Sequence, residues 1–384
     1  MAFEGFAELP LHDGHVPPWL LRIMERMAAA IIEAAIDEHG PGRVAELFAN
    51  PFWFQAFNNV IGMDWDSSGS TTVLTGVLKA VTWRRPELGL LVLGGKGARA
   101  RRVPEEAAEA ARLLGLGDEA AEAVARTSKA IAKVDGALIQ AGYSLYHHAV
   151  FLSSEGKWSV VQQGMNVERR TSRRYHWRTT ENFLDDPHEA VCGVKHDQAL
   201  NLASRRSGEA REVIADLLRE DPARVSRLYA RAYNAAKGQA TLFEGPASVL
   251  VLGERAKAYM PLMRPEELER RLRSLDVVVE GFADVLHSNL GPSTLRALAL
   301  ISHLIYEAPA SFEDPANTPL DPFAYAFAIG GKDGVPYPVN RREAERVVAT
   351  LEDIVSRARM GDRERLRAFR SLSRLRIKVV GKHI

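Results

Sequence analysis

Residues 285 to 298 read Val-Leu-His-Ser-Asn-Leu-Gly-Pro-Ser-Thr-Leu-Arg-Ala-Leu. Apolar positions recur at helical spacing from Leu275 to Leu286 and again from Leu295 to Ile305, so the stretch predicts one helix ending, a tight turn and a second helix beginning. Asn289 and Gly291 suit backbone with φ > 0, and Pro292 suits the first turn of a helix, followed by the small polar Ser293 and Thr294. A helix that starts this way turns backbone N–H groups outward. With the helix dipole, they form an anion site that needs no basic side chain.

This segment resembles the helix-hairpin-helix element of DNA repair and processing proteins, whose turn usually reads Gly-apolar-Gly; here Asn289 stands in the first glycine position. The resemblance implies sequence-independent contact with a DNA backbone through Asn289, Gly291, Ser293 and Thr294, and leaves the chemistry open. An ordinary corner in a helical core is the alternative.

The charge distribution bears on the same point. The net charge of the 384 residues is +1, yet Ser356 to Ile384 carries ten Lys and Arg residues against Asp362 and Glu364. Such a basic tail commonly meets phosphate backbones. A single cysteine, Cys192, excludes an internal disulfide and a cysteine-based zinc site. With no apolar run of membrane-spanning length and no secretory signal, the expectation is a cytoplasmic protein with DNA as partner, no membrane, and room for homo-oligomerisation.

Periodicity along the chain predicts an α+β fold: a mixed N-terminal α/β domain (1–205), an α-helical helix-hairpin-helix domain (206–345) and a basic helical tail (346–384). Helices are expected near 19–38, 44–49, 71–81, 104–113 and 119–140, with an aromatic core segment at 51–57. A short strand is expected at 88–93. Tyr143 to Leu152 and Trp158 to Gln163, separated by a Ser-Ser-Glu-Gly-Lys turn, read as a β-hairpin. Residues 165–205 read as polar and irregular.

Four groups of residues carry candidate chemistry. Gly94, Gly95, Lys96 and Gly97 follow the short strand, where glycine backbone and basic charge suit a phosphate; the run loosely resembles the Gly-basic box of ParB-type nuclease and nucleotide-binding domains. The hairpin carries His147, His148, Gln162 and Gln163, with Asp135 just upstream, a set able to position a water and a divalent metal (Mg²⁺ or Mn²⁺) on a phosphodiester. Because adjacent strand residues face opposite sides, only one of the two histidines can face a given site. Arg169, Arg170, Arg173, Arg174 and Arg178, interleaved with Tyr175 and Trp177, suit backbone contact and base stacking, or a solvated basic loop. Lastly, Lys332 and Asp333 lie in a Gly-rich stretch after the hairpin. DNA glycosylases of the helix-hairpin-helix superfamily share that order, which implies a catalytic Asp333 and a DNA-contacting or nucleophilic Lys332.

Several segments together resemble a prokaryotic family catalogued as a domain of unknown function: residues 7–12, 51–57, 145–148, 160–166 and 330–334. The likeness covers all but roughly the last 30 residues and implies one prokaryotic unit without a reaction. The leading expectation is a DNA-processing protein, a metal-dependent nuclease. The alternatives are a base-excision glycosylase using Asp333 and a DNA-binding protein without activity.

Overall fold

The structure is a computed structural model, and it describes residues 18–62, 68–237, 257–318 and 341–380. The fold mixes helix and sheet, as the periodicity predicted. Its centre is a five-stranded antiparallel sheet built from β1 (Leu90–Lys96), β3 (Ser144–Ser153), β4 (Trp158–Asn166), β5 (Thr171–Arg178) and β6 (Ala190–Cys192), in the order β1-β3-β4-β5-β6. Short strands β2 (Ile139–Gln140) and β7 (Leu200–Asn201) pair separately.

Both faces of the large sheet are covered, and each carries an apolar cluster. Antiparallel sheets often leave one face in water, so this one needs helices on each side. Leu91, Leu93, Val150, Leu152, Val160, Tyr175 and Trp177 belong to one buried cluster. Helices α5 (Val103–Leu113), α6 (Asp118–Lys133), α7 (Gly208–Arg219), α8 (Pro222–Ala236), α9 (Pro265–Arg273) and α10 (Pro292–Ile305) close over it. Leu90, Val92, Ala149, Phe151 and Val161 belong to the other. That face is covered by α1 (Pro18–His39), α2 (Pro41–Leu47), α3 (Pro51–Val60), α4 (Ser68–Arg84), α11 (Arg341–Arg357) and α12 (Asp362–Val380).

The aromatic segment at 51–57 is the heart of the second layer. Asn50 caps α3 by accepting from the Phe52 and Trp53 N–H groups at 2.8 and 3.2 Å, and Pro51 fills the first helical position. Every residue of α3 is buried, and Phe48 stacks on Phe151 of the sheet with ring centroids 4.4 Å apart.

Two expectations are corrected. Residues 165–205 are not irregular: they supply β5, β6 and β7, and β5 is buried from Ser172 to Trp177 despite its polar composition. Residues 275–281 form no helix; only a 3₁₀ turn, Phe282–His287, precedes α10. Within the span expected as a basic helical tail, α11 and α12 bury Val347, Leu351, Ile354, Val355, Ala368, Leu372 and Leu375 in the second layer. The first cluster also runs across the expected boundary near 205, joining Leu202 and Ala203 to Ala210 and Ile214.

Candidate active site

The pleat separates the hairpin candidates. His148 and Gln162 are cross-strand partners on the α6 side, while His147 and Gln163 are partners on the α4 side. On the α6 side the polar groups join into one chain. The end of α6 widens into a π-helical turn, Val134–Leu138, which sets the fully buried Asp135 under the sheet. Its carboxylate receives three donors: Trp177 Nε1 at 2.9 Å, His188 Nε2 at 2.6 Å and the Gln162 amide nitrogen in a short bond. Three donors satisfy an anion that burial alone would penalise heavily.

These bonds fix the polarity of the chain. An ionised carboxylate only accepts, so the Gln162 amide nitrogen faces Asp135 and its carbonyl faces away. The carbonyl therefore accepts from His148 Nδ1 at 2.7 Å, leaving His148 Nε2 to accept from the Ser128 hydroxyl at 2.8 Å. By the same argument His188 carries a proton on Nε2. The His188 ring rests on Trp177, centroids 4.3 Å apart. Burial lowers the pKa of His148, opposed by its bond to Gln162 and the Asp135 charge.

His188 is where this chain meets space. It lines a cleft of about 350 Å³ together with Pro187, Val191, Lys195, Asn201, Arg206, Asp314 and Asn317. Asp314 forms a fully buried pair with Arg173 at 2.6 Å and also accepts the His196 backbone N–H at 2.7 Å. Arg173 lies 4.5 Å from the Tyr143 ring centroid, and its Nε and one terminal nitrogen are buried without a hydrogen-bond partner. Lys195 and Arg206 are exposed at the cleft, and Arg206 pairs with Glu313 at 3.2 Å. Arg169 reaches His196 Nδ1 at 2.6 Å, which extends the basic rim from Lys195 to the β4–β5 turn. Burial, then the charge of Arg173, brings the His196 pKa down to about 4.

On the opposite face His147 Nε2 meets Thr75 Oγ1 at 3.1 Å, and its Nδ1 is buried without a partner. Burial, with the charges of His148 and Lys96, lowers its pKa to about 3. Gln163 donates to the Tyr146 hydroxyl at 2.6 Å. Arg174 donates to His176 Nε2 at 2.8 Å and lies 4.6 Å from the Phe54 ring centroid. The structure thus unites Asp135, His148 and Gln162 and places His147 and Gln163 elsewhere.

The remaining candidates divide similarly. The Gly94 N–H is engaged within the chain: it donates to Glu106 at 2.7 Å, and Lys79 pairs with that carboxylate. A Cβ at Gly94 would lie 2.2 Å from the His148 carbonyl oxygen, so glycine there permits close strand approach. Gly95 and Gly97 adopt φ of 138° and 62°, and Lys96 and Gly97 are exposed. Neither Asn289 nor Gly291 takes a positive φ; Gly291 has φ −92°. The Asn289 N–H donates to Asp276 at 2.7 Å, its side chain to the Ser274 carbonyl at 2.6 Å, and Lys133 binds the carbonyls of Ser288 and Leu290. These bonds hold the turn extended and occupy the Asn289 N–H. Ser293 is exposed and Thr294 buried. Arg169, Arg170 and Arg178 are exposed, while Arg173, Arg174, Tyr175 and Trp177 are interior. Lys332 and Asp333 lie outside the described residues, and among those described no group of three or more His, Cys, Asp or Glu side chains is placed to hold a metal.

His188 had no standing in the sequence, since it sits in a polar segment 53 residues from its partner Asp135. Residues 5–339 match the family model described as a protein of unknown function, DUF763. The chain belongs to that family. No curated protein and no solved structure matches this DUF763 chain. The matched span includes both sheet faces and the cleft, and ends before α11.

Proposed function

We propose that this protein is a nucleic-acid hydrolase whose reacting centre is His188, held by Asp135 at the cleft. The observation that carries the reading is the 2.6 Å bond from His188 Nε2 to a fully buried carboxylate, at a residue that lines a cleft of about 350 Å³. A buried carboxylate fixes the imidazole tautomer and stabilises the imidazolium that forms, and a cleft of this size suits a small polar ligand or one nucleotide unit. His188 Nδ1 is the base: it takes a proton from water as the water oxygen bonds to phosphorus and the P–O ester bond breaks, the departing oxygen takes a proton from solvent, and the imidazolium returns its proton to solvent. Lys195, Arg206 and Arg169 supply positive charge for the backbone along the rim.

The test is incubation of the purified chain with end-labelled single- and double-stranded DNA in Mg²⁺, Mn²⁺ or EDTA, which also reads the proposed divalent-ion requirement. The reading expects cleavage by the wild type and a loss of roughly 10²- to 10⁴-fold in Asp135→Asn, which presents the wrong group to His188. Undiminished cleavage by a folded Asp135→Asn variant contradicts the assignment. Binding without product under every condition leaves a DNA-binding role alone.

A further inference from the structure

Among the described residues, a pronounced charge segregation lies away from the cleft, on α12. This helix carries seven Arg and Lys residues against two acidic ones, in a chain whose net charge is only +1. Arg363, Arg367, Arg370 and Arg374 follow one another at intervals of four, three and four, which is one helix face, and all four are exposed. Among the described residues, Arg363, Arg367 and Arg370 have no carboxylate partner within ion-pair distance. Helix α9 is the contrast: its Arg270, Arg271 and Arg273 each pair with Glu267 or Glu269 one turn away. On α12 the two acids are engaged elsewhere. Glu364 reaches across to Arg26 of α1 at 2.7 Å, and Asp362 lies 3.8 Å from Arg365. Arg22, one turn before Arg26, adds a further exposed cation on α1.

We infer that the exposed arginine face of α12 is a docking surface for the phosphate backbone of a nucleic-acid duplex, separate from the cleft and on the other side of the sheet. From Arg363 to Arg374 the stripe runs roughly 16 Å along the helix axis, which matches about five base-pair steps of one backbone strand. An anionic membrane is the weaker fit. A helix that lies in a bilayer surface inserts its apolar face, and the apolar face of α12 (Ala368, Leu372 and Leu375) is already buried in the second layer. Apart from Leu366 and Ser373, the exposed side chains described between Arg363 and Arg374 are arginines, which serve a polyanion that carries its own regular charge.

The experiment is the salt dependence of binding to a short fluorescein-labelled DNA duplex, read by anisotropy with EDTA present. The wild type is compared with the full-length triple variant Arg363→Gln, Arg367→Gln and Arg370→Gln. Loss of three phosphate contacts makes the slope of log K against log salt shallower by about 2.7, so the fall in affinity between about 50 and 200 mM salt shrinks roughly 40-fold. Lysine at the same three positions retains the slope, which separates charge from misfolding. A triple glutamine variant with the wild-type slope overturns the proposal. So does a variant that loses binding to phosphatidylserine vesicles while keeping the duplex. His188→Ala leaves the slope unchanged, so failure of the cleft as a hydrolytic centre and failure of this surface are told apart.

Discussion

His147 and His148 leave β3 on opposite sides, and the two sides treat an imidazole differently. On the α6 side His148 has a hydrogen-bond partner on each ring nitrogen, in a chain that continues through Gln162 to Asp135 and ends on His188 in the cleft. On the α4 side His147 has one partner, Thr75, and a second nitrogen buried with none. The first arrangement is directed, since the Asp135 carboxylate dictates which atom of each successive group donates. The second contains no buried anion bound to the histidine and fixes nothing beyond it. Two neighbours of one residue type therefore carry different burdens, and the deciding factor is the acceptor at the end of the chain, 13 residues upstream of His148.

That contrast breaks most readily at Asp135. Replacing it with Ala leaves the N–H groups of Trp177, Gln162 and His188 without their acceptor, and a loss of about 3–5 kcal/mol is expected in urea unfolding. A loss below about 1 kcal/mol would show that the three donors find other acceptors and that Asp135 organises little.

The next effect belongs to the α4 side and depends on pH. The folded pKa of His147 is about 3, below its unfolded value, so its stabilising effect is full above about pH 6.5 and is lost as pH falls toward about 3. At pH 5 the loss from this residue alone is roughly 2 kcal/mol. Unfolding curves at pH 7 and pH 5 measure it, and His147→Gln removes that part of the acid sensitivity. An equally acid-sensitive His147→Gln variant would assign the sensitivity to other buried histidines, His148 and His176 among them, whose pKa values burial also lowers.

The smallest effect sharpens the comparison. Thr75→Val removes the hydroxyl that His147 Nε2 meets and leaves both ring nitrogens unsatisfied, at a cost of about 1–2 kcal/mol. Cleavage is expected to stay within a few fold of wild type, because Thr75 lies on the face away from the cleft. A large loss of cleavage in a folded Thr75→Val variant would join the two faces functionally.

Much of this was legible from residue pattern, and the failures have physical causes. Helix spacing matches α1, α4, α5 and α6 closely, and strand alternation alone assigns the two histidines of β3 to opposite faces. Strand β5 was hidden because Thr-Ser-Arg-Arg-Tyr-His-Trp-Arg reads as a solvated segment; Arg173 and Arg174 are interior through Asp314, His176 and ring contacts that no local pattern announces. The turn before α10 misled for a related reason. Asn289 and Gly291 permit a left-handed backbone, but bonds to Asp276, Ser274 and Lys133 hold another conformation. Asp135 was within reach of sequence reasoning. Its decisive partner His188 was not, because their pairing arises from the sheet and the π-helical turn rather than from spacing.

The most direct measurement sets three proteins side by side on end-labelled DNA: wild type, His188→Asn and His147→Gln. The account predicts cleavage by wild type, a fall of at least about 100-fold in His188→Asn, and His147→Gln within a few fold of wild type. Cleavage that survives in His188→Asn, or that vanishes only in His147→Gln, would place the reacting centre on the other face of the sheet and contradict it.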